Sequence, residues 1–501
     1  MTARLVTIGD SLTQGFQHGA IRRSDWAFPA MVARALGAEP FRAGDFSGDG
    51  MGGPLLDLEI LLERLSADAG RKLDLWDAPG ALLVLQRMMR HVEDYWERGP
   101  GTRPSPTGPL HHNLGIWGFQ VLDALTLSDA VCARHVPRAH DNLINQIPEH
   151  AMYRSARRVC NPGGLPDLET LTPLGLAQRI GADEGIENLV VGLGANDALG
   201  TCVSLKVRPS SKDDLTKLAH ERSCNLWEPD HFASNYRDLA RQLEHVKAER
   251  VFLTTVPHVT IAPVTRGLTP GARAGGKSEL EDGYYEYYTR FWIWDRHFDP
   301  ARNSYLTREQ ARRIDRTIDL YNASIRHEAG QRGWHVIDLC AVLDQLAFRR
   351  NLGKPPYRLP AGLIAALRDS PATRFRVRPD GEVLLDTRYL RLPEQVPPDS
   401  ASSDTWRAAY KGGLFGLDGV HPSSVGYGII AHEVLSAFQA AGVPGAEPER
   451  LDWRGIVAAD GLLQRPPALL VSLESTLDAL FRKLPLDRLV DKLAGYAAEE
   501  A

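Results

Sequence analysis

Short apolar runs that alternate with amphipathic stretches of helical period predict an α/β protein built on a mostly parallel sheet. Strand-sized runs fall at 5–8, 188–193, 251–256 and 335–339, with a brief one near 40–42, and the chain between them is long enough for crossover connections. The intervening segments carry the helical signal. Residues 26–36 put Phe28, Met31, Val32 and Leu36 on one face, and residues 232–246 do the same with Tyr236, Leu239 and Leu243. In sheets of this class a ligand site lies beyond the carboxyl ends of the strands.

The first run leads directly into Gly9-Asp10-Ser11-Leu12. A serine is thereby placed where a buried strand turns into a helix. A serine hydroxyl is a weak nucleophile at neutral pH and needs a general base within reach and donors aimed at the oxyanion that forms after attack. Taken alone, the tetrapeptide equally describes a strand-to-helix turn with Asp10 or Ser11 as N-cap.

The run at 188–193 opens into Gly194-Ala195-Asn196-Asp197, a small-residue loop that carries an amide. Such an amide is a candidate oxyanion donor, although Gly and Asn together also make an ordinary turn. Near the other end of the chain, Leu417-Asp418-Gly419-Val420-His421-Pro422 precedes the helical pattern at 426–431. The spacing of Asp418 and His421 lets the carboxylate accept from one imidazole nitrogen and leaves the other to take a proton from Ser11.

These three pieces, in this order, resemble the SGNH (GDSL) hydrolase superfamily. Its four sequence blocks supply a serine, a glycine, an asparagine and a histidine. The family's second block has the shape Asn-x-x-x-x-Gly, matched here by Asn113-Leu114-Gly115-Ile116-Trp117-Gly118. A competing glycine-rich stretch at 44–53 lacks the asparagine at the right offset and reads as a connection. The resemblance implies a flavodoxin-like three-layer α/β/α sandwich with a mostly parallel five-stranded sheet. It also implies catalytic Ser11, Asp418 and His421, and an oxyanion hole formed by the Ser11 and Gly118 backbone N–H groups with the Asn196 side chain. Asp10 and Asp197 are placed beside the site, with turn capping and supporting hydrogen bonds as their role.

The mechanism that follows is acyl transfer through a covalent acyl-serine, with a small-molecule or lipid ester as substrate and no cofactor. An acyltransferase, in which an alcohol outcompetes water, would use the same residues. A non-catalytic binding protein on the same fold is the reading from a different class, and the joint presence of Ser11, Asn196, Asp418 and His421 weighs against it. The chain contains no Gly-x-Ser-x-Gly pentapeptide, which excludes the α/β-hydrolase nucleophile elbow. The five cysteines, Cys132, Cys160, Cys202, Cys224 and Cys340, form no Cys-x-x-Cys pair, so no structural metal is expected and they read as small buried hydrophobes. His111-His112, in a Pro/Gly-rich approach, reads as a solvated loop.

A net charge of −5 without a basic run gives no reason to expect nucleic acid. No run of about 18 apolar residues occurs, so no membrane span is expected. The first residues pass at once into the first strand, leaving no room for a signal sequence, and the odd cysteine count suits a reducing compartment; both point to the cytoplasm. Nothing in the pattern encodes an oligomeric state.

The 501 residues exceed the roughly 200 that a compact domain of this kind needs. One catalytic domain over 1–443 is expected, with insertions near 46–110, 263–306 and 349–413, followed by a helical extension over 444–501. The first insertion contains an amphipathic helix at 56–65. The second contains the aromatic stretch 284–294, where Tyr284, Tyr287, Tyr288 and Phe291 share a face at helical spacing, favouring core packing over a wall of the acyl pocket. In the extension, apolar residues from Leu469 to Leu484 recur at helical spacing, with Glu474, Asp478, Arg482 and Lys483 on the charged face. That mixture favours docking on the catalytic domain over a membrane surface, with self-association as a third outcome.

Overall fold

The structure, a computed structural model, describes residues 2–69, 78–102, 110–136, 151–268, 282–293, 297–347, 349–351, 356–392, 410–467 and 469–470. Its centre is a five-stranded, wholly parallel sheet. In chain order the strands are β1 (Val6–Gly9), β2 (Asn113–Gly115), β3 (Ile186–Gly192), β4 (Ala248–Thr254) and, after three short strands elsewhere, β8 (His335–Ile337). Their spatial order is β2-β1-β3-β4-β8, the doubly wound order of a flavodoxin-like sheet.

Register and alternation explain why both faces are covered. Val6 pairs with Leu189 and Leu189 with Val251, while Leu114, Ile8, Val191 and Leu253 form the next layer on the same face. That face packs against the helices Pro173–Asp183, Pro229–Leu243 and Arg308–Arg332. Val190, Phe252 and Ile337 point the other way, onto Phe28–Leu36, Ser424–Ala440, Ala361–Asp369 and Trp453–Ala459. A strand buried on both faces must be apolar throughout, which is why β1, β3 and β4 show as continuous runs.

Two expectations are corrected. Residues 40–42 form no strand; Pro40 has no N–H to give a ladder, and the Arg42 carbonyl instead accepts from His112 N at 2.8 Å and Asn113 N at 3.0 Å. The edge position belongs to β2, inside the Asn113–Gly118 motif. The aromatic stretch is also not a helix. β6 (Tyr287–Arg290) lies between β5 (Thr265–Leu268) and β7 (Leu306–Thr307) in a small antiparallel sheet, with Thr265 opposite Arg290 and Leu268 opposite Tyr287. Aromatic and β-branched residues suit a pleated surface, and here that preference prevails over the helical spacing. The packing role holds for Tyr284 and Tyr288, which are buried, while Tyr287 and Phe291 are only half-buried.

His111-His112 is not a solvated loop either. His112 is buried 3.6 Å from Glu184, and burial pushes the His111 imidazole down to about 4. The two residues lead into β2 at the edge of the sheet. All five cysteines are buried and free. The helix expected at 56–65 is present as Leu58–Ala69. In the extension, Trp453–Ala459 and Gly461–Gln464 dock beside Ser424–Ala440; the amphipathic pattern from Leu469 to Leu484 lies outside the described residues except for Leu469 and Leu470, which are buried. Among the described residues no helix is long and apolar enough to cross a membrane.

Candidate active site

Ser11 opens a single-turn helix, Ser11–Gln14, straight after β1. Asp10 caps that turn by accepting from Leu12 N at 3.0 Å, and Gly15, at φ +97°, ends it. The strand and turn are thus joined without an intervening loop, which fixes Ser11 at the carboxyl edge of the sheet. Ser11 is buried but for a small exposed fraction of 6 %.

The candidate base, His421, arrives from the far end of the chain. Asp418 Oδ1 accepts from the backbone N–H groups of Val420 and His421, both at 2.8 Å, and Oδ2 lies 3.1 Å from His421 Nδ1. Oδ2 also accepts from Gly19 N at 2.8 Å, in the turn just beyond the Ser11 helix. Burial acts to raise the Asp418 carboxyl, but the His421 imidazole and the converging N–H groups prevail and hold it at about 2. With Nδ1 committed to Asp418, Nε2 is the nitrogen left for proton transfer. The imidazole packs on Phe16 with ring centroids 4.4 Å apart, and Phe16 N donates to the Ser11 carbonyl at 3.0 Å. Among the described residues no hydrogen bond joins Ser11 Oγ to His421, and such bonds commonly tighten only when substrate binds.

The oxyanion candidates come from the neighbouring strands. After β2 the chain turns through Gly118, at φ +78°, where a side chain would also meet Met152 Sδ at 3.0 Å. This turn is tied to the serine helix: Trp117 N donates to Gln14 Oε1 at 2.7 Å, and Asn113 Nδ2 donates to the Thr13 carbonyl at 2.8 Å. Asn196 opens the helix Asn196–Ser204 after β3, and its Nδ2 donates to the Phe119 carbonyl at 2.9 Å. Ser11, Gly118, Asn196, Asp418 and His421 are therefore gathered at one edge of the sheet, although they lie far apart in the chain.

The two supporting carboxylates are both inside the protein. Burial pushes Asp10 up to about 6, against the pull of Leu12 N and His421. Asp197 accepts from Val121 N at 3.2 Å; burial, with Asp123 and Asp10 adding to it, drives its carboxyl far above the usual range. A cavity of roughly 20 Å³, room for about one water, lies between Asp10, Thr13, Gly192 and Thr254. A larger one of about 300 Å³ lies between β8 and the helix Ser424–Ala440, lined by Asp338, Tyr357 and Glu433 and by none of the site residues.

Several neighbours of these residues carry no motif: Tyr427, His18, Gln120, Asp123 and Arg222 reach them only through the fold. The structure also builds a second polar cluster beyond β4 and β8. His258 Nδ1 lies 2.9 Å from Asp344 Oδ1 and 3.6 Å from Cys340 Sγ, while Nε2 lies 3.2 Å from Asp319. Burial works against the charged imidazole, but Asp344, with Cys340 and Asp315 behind it, raises it to about 10. His258, Cys340 and Asp344 are metal-ligating types, yet Arg350 Nη2 sits 3.3 Å from the same Nδ1 and its Nε 3.3 Å from Asp344. A fixed cation already neutralises the carboxylates where the three ligands converge.

Comparison with protein-family models, with curated proteins and with solved structures finds no match.

Proposed function

We propose that the protein is a serine hydrolase of the SGNH (GDSL) type that cleaves carboxylic esters through an acyl-serine. The observation that carries this reading is the Asp418–His421 pair, held by backbone N–H groups and docked on the turn that follows the Ser11 helix. His421 Nε2 removes the Ser11 proton as Oγ attacks the ester carbonyl. The negative charge that develops on the carbonyl oxygen is met by the Ser11 and Gly118 N–H groups and the Asn196 amide. As the tetrahedral intermediate collapses, the C–O bond to the leaving alcohol breaks and His421 returns the proton to that oxygen. Water, deprotonated by His421, then attacks the acyl-serine and releases the acid.

The test is hydrolysis of a p-nitrophenyl ester series from acetyl to palmitoyl by the native chain and by Ser11→Ala, together with covalent labelling by a fluorophosphonate. The expected result is activity and labelling in the native chain, with both lost in the variant. A folded native chain that neither labels at Ser11 nor cleaves any ester overturns the reading.

A further inference from the structure

We infer that Arg222 is a positioning residue for oxyanion stabilisation, holding the Gly118 turn and Asn196 in register through Gln120. The inference rests on the serine-hydrolase reading. Arg222 and Asp123 form a buried ion pair at 2.7 Å, with side chains 2 % and 1 % exposed. Such a pair contributes little stability over apolar residues of the same volume, so its partners matter more than its charge.

The guanidinium uses all three of its nitrogens on different groups. Nε donates to the Lys217 carbonyl at 3.0 Å, Nη2 to Asp123 Oδ1 and Nη1 to Gln120 Oε1 at 2.6 Å. Asp123 Oδ2 in turn accepts from Gln120 N at 2.9 Å, so the pair grips Gln120 by backbone and side chain together. Trp227 Nε1 donates to the same Gln120 Oε1 at 3.0 Å. Two donors on Oε1 fix which way the amide faces, and Nε2 is thereby directed at the Asn196 carbonyl, 3.3 Å away.

The ring closes through the candidate site. Asn196 Nδ2 donates to the carbonyl of Phe119, the residue between Gly118 and Gln120. Both oxyanion candidates thus belong to segments clamped by one glutamine, and Arg222 decides the orientation of that glutamine from behind. A lysine at 222 keeps a charge for Asp123 but has no planar fork to span Asp123 and Gln120 at once.

The experiment compares Arg222→Lys, Arg222→Met and Gln120→Met with the native enzyme on p-nitrophenyl acetate. Active sites are counted by fluorophosphonate titration, so that kcat refers to folded enzyme, and melting temperatures are recorded. The expected result is a fall in kcat of about 10- to 100-fold with KM within about twofold, because a small misplacement of donors costs on this scale. Arg222→Lys should show the fall while melting close to the native enzyme, and the Arg222→Lys, Gln120→Met double variant should be no slower than the slower single. A native kcat in Arg222→Lys and Gln120→Met overturns the inference and leaves the hydrolase reading intact. A native chain that does not label at Ser11 removes both.

Discussion

Tyr427 donates its hydroxyl to the carbonyl of Phe16 at 2.8 Å, joining the helix that follows His421 to the turn that follows Ser11. The same hydroxyl lies 3.5 Å from the Ser11 carbonyl. Tyr427 is fully buried, so the bond is made in a water-free setting. Tyr427→Phe is expected to cost about 1–3 kcal/mol in urea denaturation, the penalty for removing a buried donor from its acceptor. Ester turnover should fall with it, because Phe16 also supports the His421 ring. An unchanged midpoint and unchanged kcat would show that the bond carries neither load.

Asp418→Asn tests the orientation of the base. The amide can still accept from the Val420 and His421 N–H groups, so the loop should keep its shape. It presents no anion to the imidazolium that forms during proton transfer. Turnover is expected to drop by about 10³–10⁴, and the melting temperature to fall as well, because the amide nitrogen that replaces Oδ2 cannot accept from Gly19 N. A loss below tenfold would remove Asp418 from the proposed triad.

Gly118 and Gly37 separate backbone strain from catalysis. Both have positive φ, +78° and +66°, but only at Gly118 does a new Cβ meet a neighbour, and Gly37 lies in open space. Alanine at either position should cost about 1–2 kcal/mol through backbone strain. Only Gly118→Ala should also lower kcat. Equal activity in the two variants would place the oxyanion donor elsewhere.

Asp10 gives a pH dependence whose sign follows from its raised carboxyl. Its folded value of about 6 lies above the ordinary value of 3.8, so the folded state favours the protonated acid. Stability from this group is greatest below 3.8, declines between 3.8 and about 6, and stays reduced above that by about 3 kcal/mol at most. Asp10→Asn keeps an oxygen for Leu12 N and never ionises. It should therefore raise the melting temperature relative to the native chain at pH 8, with the gap closing near pH 4. A gap that is constant with pH would show that Asp10 does not titrate in this range.

The sheet was legible where its strands are buried on both faces, since β1, β3 and β4 must be apolar there and stand out as runs; β8, a half-buried edge strand, showed through Val336 and Ile337. β2 was not, because three residues suffice for it and two of them, Asn113 and Gly115, do not favour strands; Asn113 is there to bridge Thr7 and Thr13. The small antiparallel sheet was hidden for another reason. Tyrosines at 284, 287 and 288 satisfy a helical period as well as a strand, and only pairing with β5 decides between them. Of the candidate site, the residues in motifs were found and brought together by the fold. Arg222, Gln120 and Tyr427 were invisible because each acts through a partner distant in sequence, which leaves no spacing to detect.

The position of β1 in the sheet sets a timetable for biosynthesis. β1 emerges first and is flanked by β2 and β3, while Tyr427, which secures Ser11 from behind, follows 416 residues later. At roughly 5–20 residues per second the ribosome needs on the order of 20–80 s to cover that distance. Throughout that interval the nascent chain carries Ser11 without the proposed base and, on the proposed reading, without an activated nucleophile. The proposed catalytic site is therefore assembled in one late step, when the segment holding Asp418 and His421 folds back onto the segment made first.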